Sequence, residues 1–242
     1  MKLRFILPAA MAITGLAACD RSEPPVQKLE KAAEEAVGEV TGEAQPEQAD
    51  GPFAPRDDCS QQPGAEAFVA QIRNAVELRD AAAFAALAAE DVRLDFGGGG
   101  GQTTLVSRLG EDDGPLWSKL DELMTLGCSS DGTTLEFPYY FSQEFPGDPM
   151  QGMVVTGEDE PLLAEPRAEA EALTTLDWAG VEAVPTTEQS PSGFTRVIWR
   201  DPAGAETTGF VRSDRLRSWI DFRLGAARRN DRWRITHFVT GD

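Results

Sequence analysis

SWIDFRLGAARRNDRWRITHFVTGD, residues 218–242, reads as a β-hairpin within one short stretch. Trp219, Asp221 and Arg223 alternate with Ile220, Phe222 and Leu224, the period of two that sends successive side chains to opposite faces of a strand. Asn230 and Asp231 supply the turn, because both residue types tolerate the positive φ that a two-residue hairpin loop demands. Trp233, Ile235, His237 and Val239 are then expected on one face of the return strand. A lone hairpin is marginal in water, so this one has to cover something earlier in the chain.

The surface to be covered begins near Pro63. Phe68, Ile72, Ala75 and Val76 form an amphipathic helical stripe, and Asp80 caps a second short helix running through Phe84 and Leu87. DVRLDF, residues 91–96, alternates as a strand with Val92, Leu94 and Phe96 on one face. The five glycines 97–101 that follow lack a P-loop lysine and the dinucleotide-binding spacing, and are read as a strand-end loop in preference to a phosphate cradle. PLWSKLDELMTLGC then sets Leu116, Leu120, Leu123 and Met124 at helical spacing, with Gly127 as the stop.

Between this region and the hairpin, residues 154–216 alternate short β-rich runs with turn residues, the pattern of a small barrel. The succession resembles the bacterial SH3-like (SH3b) domain: a strand at Leu162 and Leu163, a turn at Pro166, a strand ending at Leu176, another at Val181–Val184, then GFTRVIW and GFVRSDRL. Gly209-Phe210-Val211 is similar to that family's glycine, aromatic, valine step, and Leu216 to its closing position; Leu163 and Phe194 stand where the family usually has arginine and tryptophan. The helix pair, the strand and the late hairpin also resemble the ends of a nuclear-transport-factor-2-like fold, which implies a discontinuous α+β domain with the barrel inserted. The expected fold class is α+β, a small SH3-like β-barrel combined with a helical and antiparallel-strand region. The expected bounds are 59–153 for the α+β region, 154–217 for the barrel and 218–242 for the hairpin packing on the α+β region.

At the other end, Lys2 and Arg4 precede an apolar run too short to span a bilayer comfortably. Leu16-Ala17-Ala18-Cys19 resembles the lipobox of bacterial lipoproteins. That resemblance implies a signal peptide over 1–18 and lipidation of Cys19, hence an envelope protein anchored to a membrane from the periplasm. Asp20 resembles an inner-membrane retention signal. Residues 19–58 are rich in Glu, Ala, Pro and Gln and are expected to form an acidic flexible tether. With Cys19 consumed, Cys59 and Cys128 are left in an oxidising compartment, where a disulfide between them is expected; the alternative is two separate thiols.

Charge and missing residue types narrow the function. With 41 acidic against 22 basic residues, a net charge of −19 argues against nucleic acid as a partner. The stretch 209–242 is locally basic, with eight arginines against four aspartates, either a solvated strand face or a patch for acidic partners such as lipid headgroups or wall-peptide carboxylates. His237 is the single histidine, no zinc-binding helix motif occurs, and the cysteines are already assigned, so neither a metal, another cofactor nor a catalytic residue is expected. The acidic clusters at Glu111–Asp113 and 157–160 are read as solvated. The SH3-like resemblance implies non-catalytic binding of a cell-wall peptide (peptidoglycan) or an envelope protein, with Phe194, Trp199, Phe210 and Trp219 as candidate contacts. The alternatives are a small-molecule-binding protein or enzyme with a pocket in the α+β region near His237, and a structural subunit whose barrel is only a packing surface.

Overall fold

The computed structural model describes residues 48–110, 115–185 and 193–241. The signal peptide, Cys19, Asp20, most of the tether and Glu111–Asp113 lie outside the described residues. Two helices open the described chain, α1 (Ala65–Glu77) and α2 (Ala81–Ala86). In α1, Phe68, Ile72, Ala75 and Val76 are buried as their spacing requires, and the Asp80 carboxylate accepts the Ala83 N–H at the start of α2. Strand β1 (Ala88–Arg93) follows, then α3 (Gln102–Gly110), α4 (Pro115–Thr125), β2 (Ser129–Ser130) and β3 (Thr134–Phe137). Gly127, at φ 75°, ends the turn after α4.

The chain then leaves this region for a long excursion. It runs through a 3₁₀ turn (Tyr139–Ser142) into β4 (Gly152–Val155), β5 (Glu160–Leu163), β6 (Ala172–Leu176), β7 (Gly180–Ala183), β8 (Phe194–Arg200) and β9 (Glu206–Arg212). A second 3₁₀ turn (Ser213–Arg215) leads to β10 (Leu216–Ser218), and the chain returns as β11 (Arg223–Arg229) and β12 (Arg232–Val239). The fold is mixed α+β with two open sheets among the described residues. One has five strands in the order β1-β12-β11-β3-β2, the other seven in the order β10-β4-β7-β8-β9-β5-β6. β11 pairs antiparallel with β3, and β12 pairs parallel with β1, so the last two strands complete a sheet begun far upstream.

The small barrel expected over 154–217 is therefore an open sheet, with β10 and β6 as unjoined edges. It curls around one core all the same: Val155, Leu162, Leu176, Val181, Val197 and Val211, from six of its strands, form a single buried cluster. The bend comes where β4 passes into β5 and β6 into β7. There Trp178 N–H donates to the Gly157 carbonyl at 2.8 Å, and Asp159 N–H to the Asp177 carboxylate at 2.7 Å.

A second core fills the space between the helices and the five-stranded sheet, where Ile72, Phe84, Leu120, Leu123, Leu135 and Ile235 are fully buried. Burial of each such side chain contributes about 1.5–3 kcal/mol. A third, aromatic core lies between the other two: Phe53, Tyr140, Phe145 and Trp219, with Trp219 4.9 Å from Phe145 and 5.3 Å from Tyr140 between ring centroids.

Three expectations need correction. The last residues of the supposed tether are part of the fold, because Phe53 and Ala54 are buried and Phe53 N–H donates to the Trp178 carbonyl at 3.1 Å. Phe96 does not share a face with Leu94: β1 ends at Arg93, Leu94 is buried, and Phe96 is 48% exposed. His237 does not share a face with Ile235. A bulge puts Gly225 opposite His237 and Ala226 opposite Ile235, leaving Thr236 as the extra residue, so Phe238 takes the next core position. The Asn230–Asp231 turn has φ values of 51° and 61°, as a two-residue hairpin loop requires.

Cys59 and Cys128 are buried with their sulfurs at bonding distance and Cα atoms 5.7 Å apart, a disulfide pair. Asp58 N–H donates to Cys128 O at 2.9 Å and Cys128 N–H to Arg56 O at 2.7 Å, so backbone and disulfide together fasten the segment that carries Phe53. Among the described residues, no helix is long and apolar enough to cross a membrane.

Candidate functional site

Strand alternation separates the four candidate aromatics. In β8, Val197 is buried and Trp199, two residues on, packs against the same cluster. Phe194 stands opposite Arg212 and Phe210 opposite Arg196, on the other side of the β8–β9 ladder from Val197 and Val211. Trp219 is 5% exposed inside the aromatic core, which makes it a packing residue out of a ligand's reach. The structure thus does not bring the four together, and Trp199 alone borders a cleft described here.

That cleft has a volume of about 720 Å³. Leu176, Trp199 and Pro202 line it from the seven-stranded sheet, and Phe53 and Pro146 from the segments lying across that sheet. The close approach of those segments depends on Gly180, where a Cβ would fall 2.8 Å from the Phe53 ring.

Polar groups fix the walls. The Arg200 guanidinium bonds the Glu182 carboxylate, reaches Glu206 at 2.9 Å and donates to the Pro146 carbonyl at 3.4 Å. Glu182 also accepts the Asp148 N–H at 2.8 Å. That backbone bond, followed by the Arg200 bond, holds its carboxyl below the ordinary glutamate range. The residue after Arg200, Asp201, accepts the N–H groups of Ala203 and Ala205 on its carboxylate, both at 2.8 Å, and presets the loop that carries Pro202. A preformed, mainly apolar cleft with a few fixed polar groups suits the recognition of a peptide segment. Its lining contains no histidine or cysteine.

The other sites considered from sequence take a different form. His237 lies on the outer face of the five-stranded sheet, its Nε2 3.1 Å from a Glu136 carboxylate oxygen and its Nδ1 3.3 Å from Thr236 Oγ1. The pair meets across Gly225, whose absent Cβ would sit 1.9 Å from His237 Cε1. His237 lines neither the Trp199 cleft nor the two other clefts described. The glycine run is filled by the chain's own carboxylate. Asp95 accepts the N–H of Gly97 at 2.9 Å and of Gly99 at 2.7 Å, and takes Arg108 at 2.6 Å, so the position a phosphate would occupy already holds an anion. The Arg108 bond, then that to Gly99, keeps the Asp95 carboxyl below its usual range. Of the second acidic cluster, Glu160 is not free in solvent but pairs with Arg215 at 2.8 Å. Among the described residues, no three His, Cys, Asp or Glu side chains come together as a metal site.

Sequence reading did not find Pro146, Leu176 or the Arg200–Glu182 pair. Their only signal was turn composition around Pro146 and Pro202, and nothing local links positions so far apart.

No family model and no curated protein matches the chain. Among solved structures, it is similar to an NTF2-like protein with a cystatin-like fold from Novosphingobium aromaticivorans, at 13% identity over 72% of this chain and 75% of that one, with a TM-score of 0.24. It is also similar to a putative calcium/calmodulin dependent protein kinase II association domain from Xanthomonas campestris, at 10% identity over 79% and 98% of the two chains, with a TM-score of 0.28. Both likenesses are too distant to assign a family.

Proposed function

We propose that this is a lipid-anchored periplasmic protein whose seven-stranded sheet is an SH3-like module that binds a cell-wall peptide or an envelope-protein segment without catalysis. The cleft beside Trp199 is the observation that carries the reading. Trp199 and the exposed Pro146 and Pro202 offer flat apolar contact, while Arg200 and Asp177 on the lining supply charge for orientation. The SH3-like assignment is supported by the succession of elements. Strands cover Leu162–Leu163 and end at Leu176, the next begins at Gly180, and a 3₁₀ turn at Ser213–Arg215 precedes a last strand opening at Leu216. A periplasmic location is supported by the Cys59–Cys128 disulfide, since such bonds persist in oxidising compartments.

The test is co-sedimentation of the full chain with purified peptidoglycan, alongside Trp199→Ala and Phe210→Ala variants. Retention that falls at least about tenfold in Trp199→Ala and stays within about twofold in Phe210→Ala is expected, because truncation of a central aromatic anchor costs most. Equal retention of all three chains would refute the cleft, and no retention of any would remove the wall as partner.

A further inference from the structure

The basic stretch near the end of the chain is not uniform. Arg212 pairs with Asp214, Arg215 with Glu160 and Arg217 with Glu122, while Arg223 lies against the rings of Phe96 and Phe141. Arg228 donates to the Pro63 carbonyl and covers Trp233, and Arg234 donates to the Ala86 carbonyl at 2.6 Å. Those contacts account for six of the eight arginines. The other two, Arg229 and Arg232, make no ion pair or side-chain hydrogen bond among the described residues. They stand directly opposite each other on the last rung before the Asn230–Asp231 turn. Like charges in that relation destabilise a hairpin, so the fold gains nothing from having both.

A matching imbalance faces them. Glu90 and Asp91, neighbours in β1, are exposed and likewise make no ion pair among the described residues. All four residues line one open cleft of about 630 Å³, together with Ala88 and Ala89. Two unpaired guanidiniums and two unpaired carboxylates thus share a cavity, beside a third guanidinium, that of Arg234, which is already bonded to the Ala86 carbonyl. A simple anion would meet the carboxylates, and a simple cation would meet the arginines. A molecule carrying both charges satisfies both sets.

We infer that this cleft binds a zwitterion of the amino-acid or short-peptide class, its carboxylate between Arg229 and Arg232 and its ammonium at Glu90 and Asp91. The volume falls within the range of small-ligand sites. The site is separate from the Trp199 cleft and does not rest on the reading given to it.

The probe is the dipeptide alanyl-alanine, titrated into the ¹⁵N-labelled full chain and followed by amide chemical shifts. Saturable shifts are expected at Ala88, Ala89 and Asn230. Acetylating the dipeptide's amine or amidating its carboxylate should weaken binding about 1.5- to fivefold, the range for single exposed charge pairs. Arg232→Gln and Glu90→Gln, both at exposed positions, should weaken the free dipeptide similarly, while Glu90→Gln should leave the acetylated one unchanged. Absence of shifts at these amides would overturn the inference. So would equal affinity for the free and acetylated dipeptides, which would make the cleft a plain anion site.

Discussion

Arg217, in β10, ties the seven-stranded sheet to α4 and to the segment that leads into β11, and Arg217→Met tests that role. Its side chain is 3% exposed. Nε donates to Glu122 of α4 at 2.6 Å, Nη1 bonds the Tyr140 hydroxyl, and Nη2 donates to the Phe222 carbonyl at 2.6 Å. Lys119 adds bonds to Asp221 at 2.7 Å and to Glu122 at 3.1 Å, which closes the network between helix, 3₁₀ turn and the β10–β11 connection. Methionine replaces the aliphatic stem, so little packing is lost. What it strands is the Phe222 carbonyl and the Tyr140 hydroxyl, each at about 1–3 kcal/mol when buried without a partner. Glu122, at 34% exposure, recovers part of its hydration and adds less than the 3–5 kcal/mol typical of breaking a fully buried pair. A loss of about 3–4 kcal/mol is expected from urea unfolding at pH 7. Because the network spans the joint, near-ultraviolet circular dichroism and tryptophan fluorescence should also cease to report one transition. A loss below about 1 kcal/mol with coincident transitions would refute the reasoning.

Two further outcomes are expected. Gly225→Ala places a methyl within 1.9 Å of His237 Cε1 and 2.7 Å of Glu136 Oε1 and should cost about 1–3 kcal/mol; most of it should return in a His237→Ala background, and failure of that rescue would locate the strain elsewhere. Burial pushes the Tyr140 hydroxyl up to about 12, against the opposing pull of Arg217. A folded pKa above the unfolded value of about 10 means that this contribution is complete below pH 10 and is lost as pH rises toward 12. Alkaline denaturant titrations should show that decline in the native chain, and Tyr140→Phe should flatten it.

What the sequence disclosed was local or exclusive. The α1 stripe lies within nine residues, and the hairpin turn in the two residues Asn230 and Asp231, so both could be read directly. The cysteine pair was legible because few alternatives existed. The bulge at Thr236 was not, since alternation assumes an unbroken period of two and one extra residue reverses it. The curl of the seven-stranded sheet was misread as closure. An edge pairing between β6 and β10 would depend on backbone approach, which side-chain patterns do not encode. The Trp199 cleft was half visible: an aromatic in a strand is a fair candidate, but Phe53 and Pro146 reach it only through tertiary packing.

The interruption between β3 and β11 has a consequence for how the chain acquires its structure. Strands that lie side by side in the five-stranded sheet are separated in sequence by the entire seven-stranded one, and Ala88 of β1 aligns with Ile235 of β12. Loop-closure entropy delays such distant pairings relative to near ones. The excursion, whose strands find their partners within their own stretch, is therefore free to order early. The helices meanwhile hold an unroofed apolar face until the final hairpin arrives. During that interval the chain is exposed to proteases and to association with its own copies. The Cys59–Cys128 link, made wholly within the waiting half, narrows the conformations it can explore before the last strand closes the sheet.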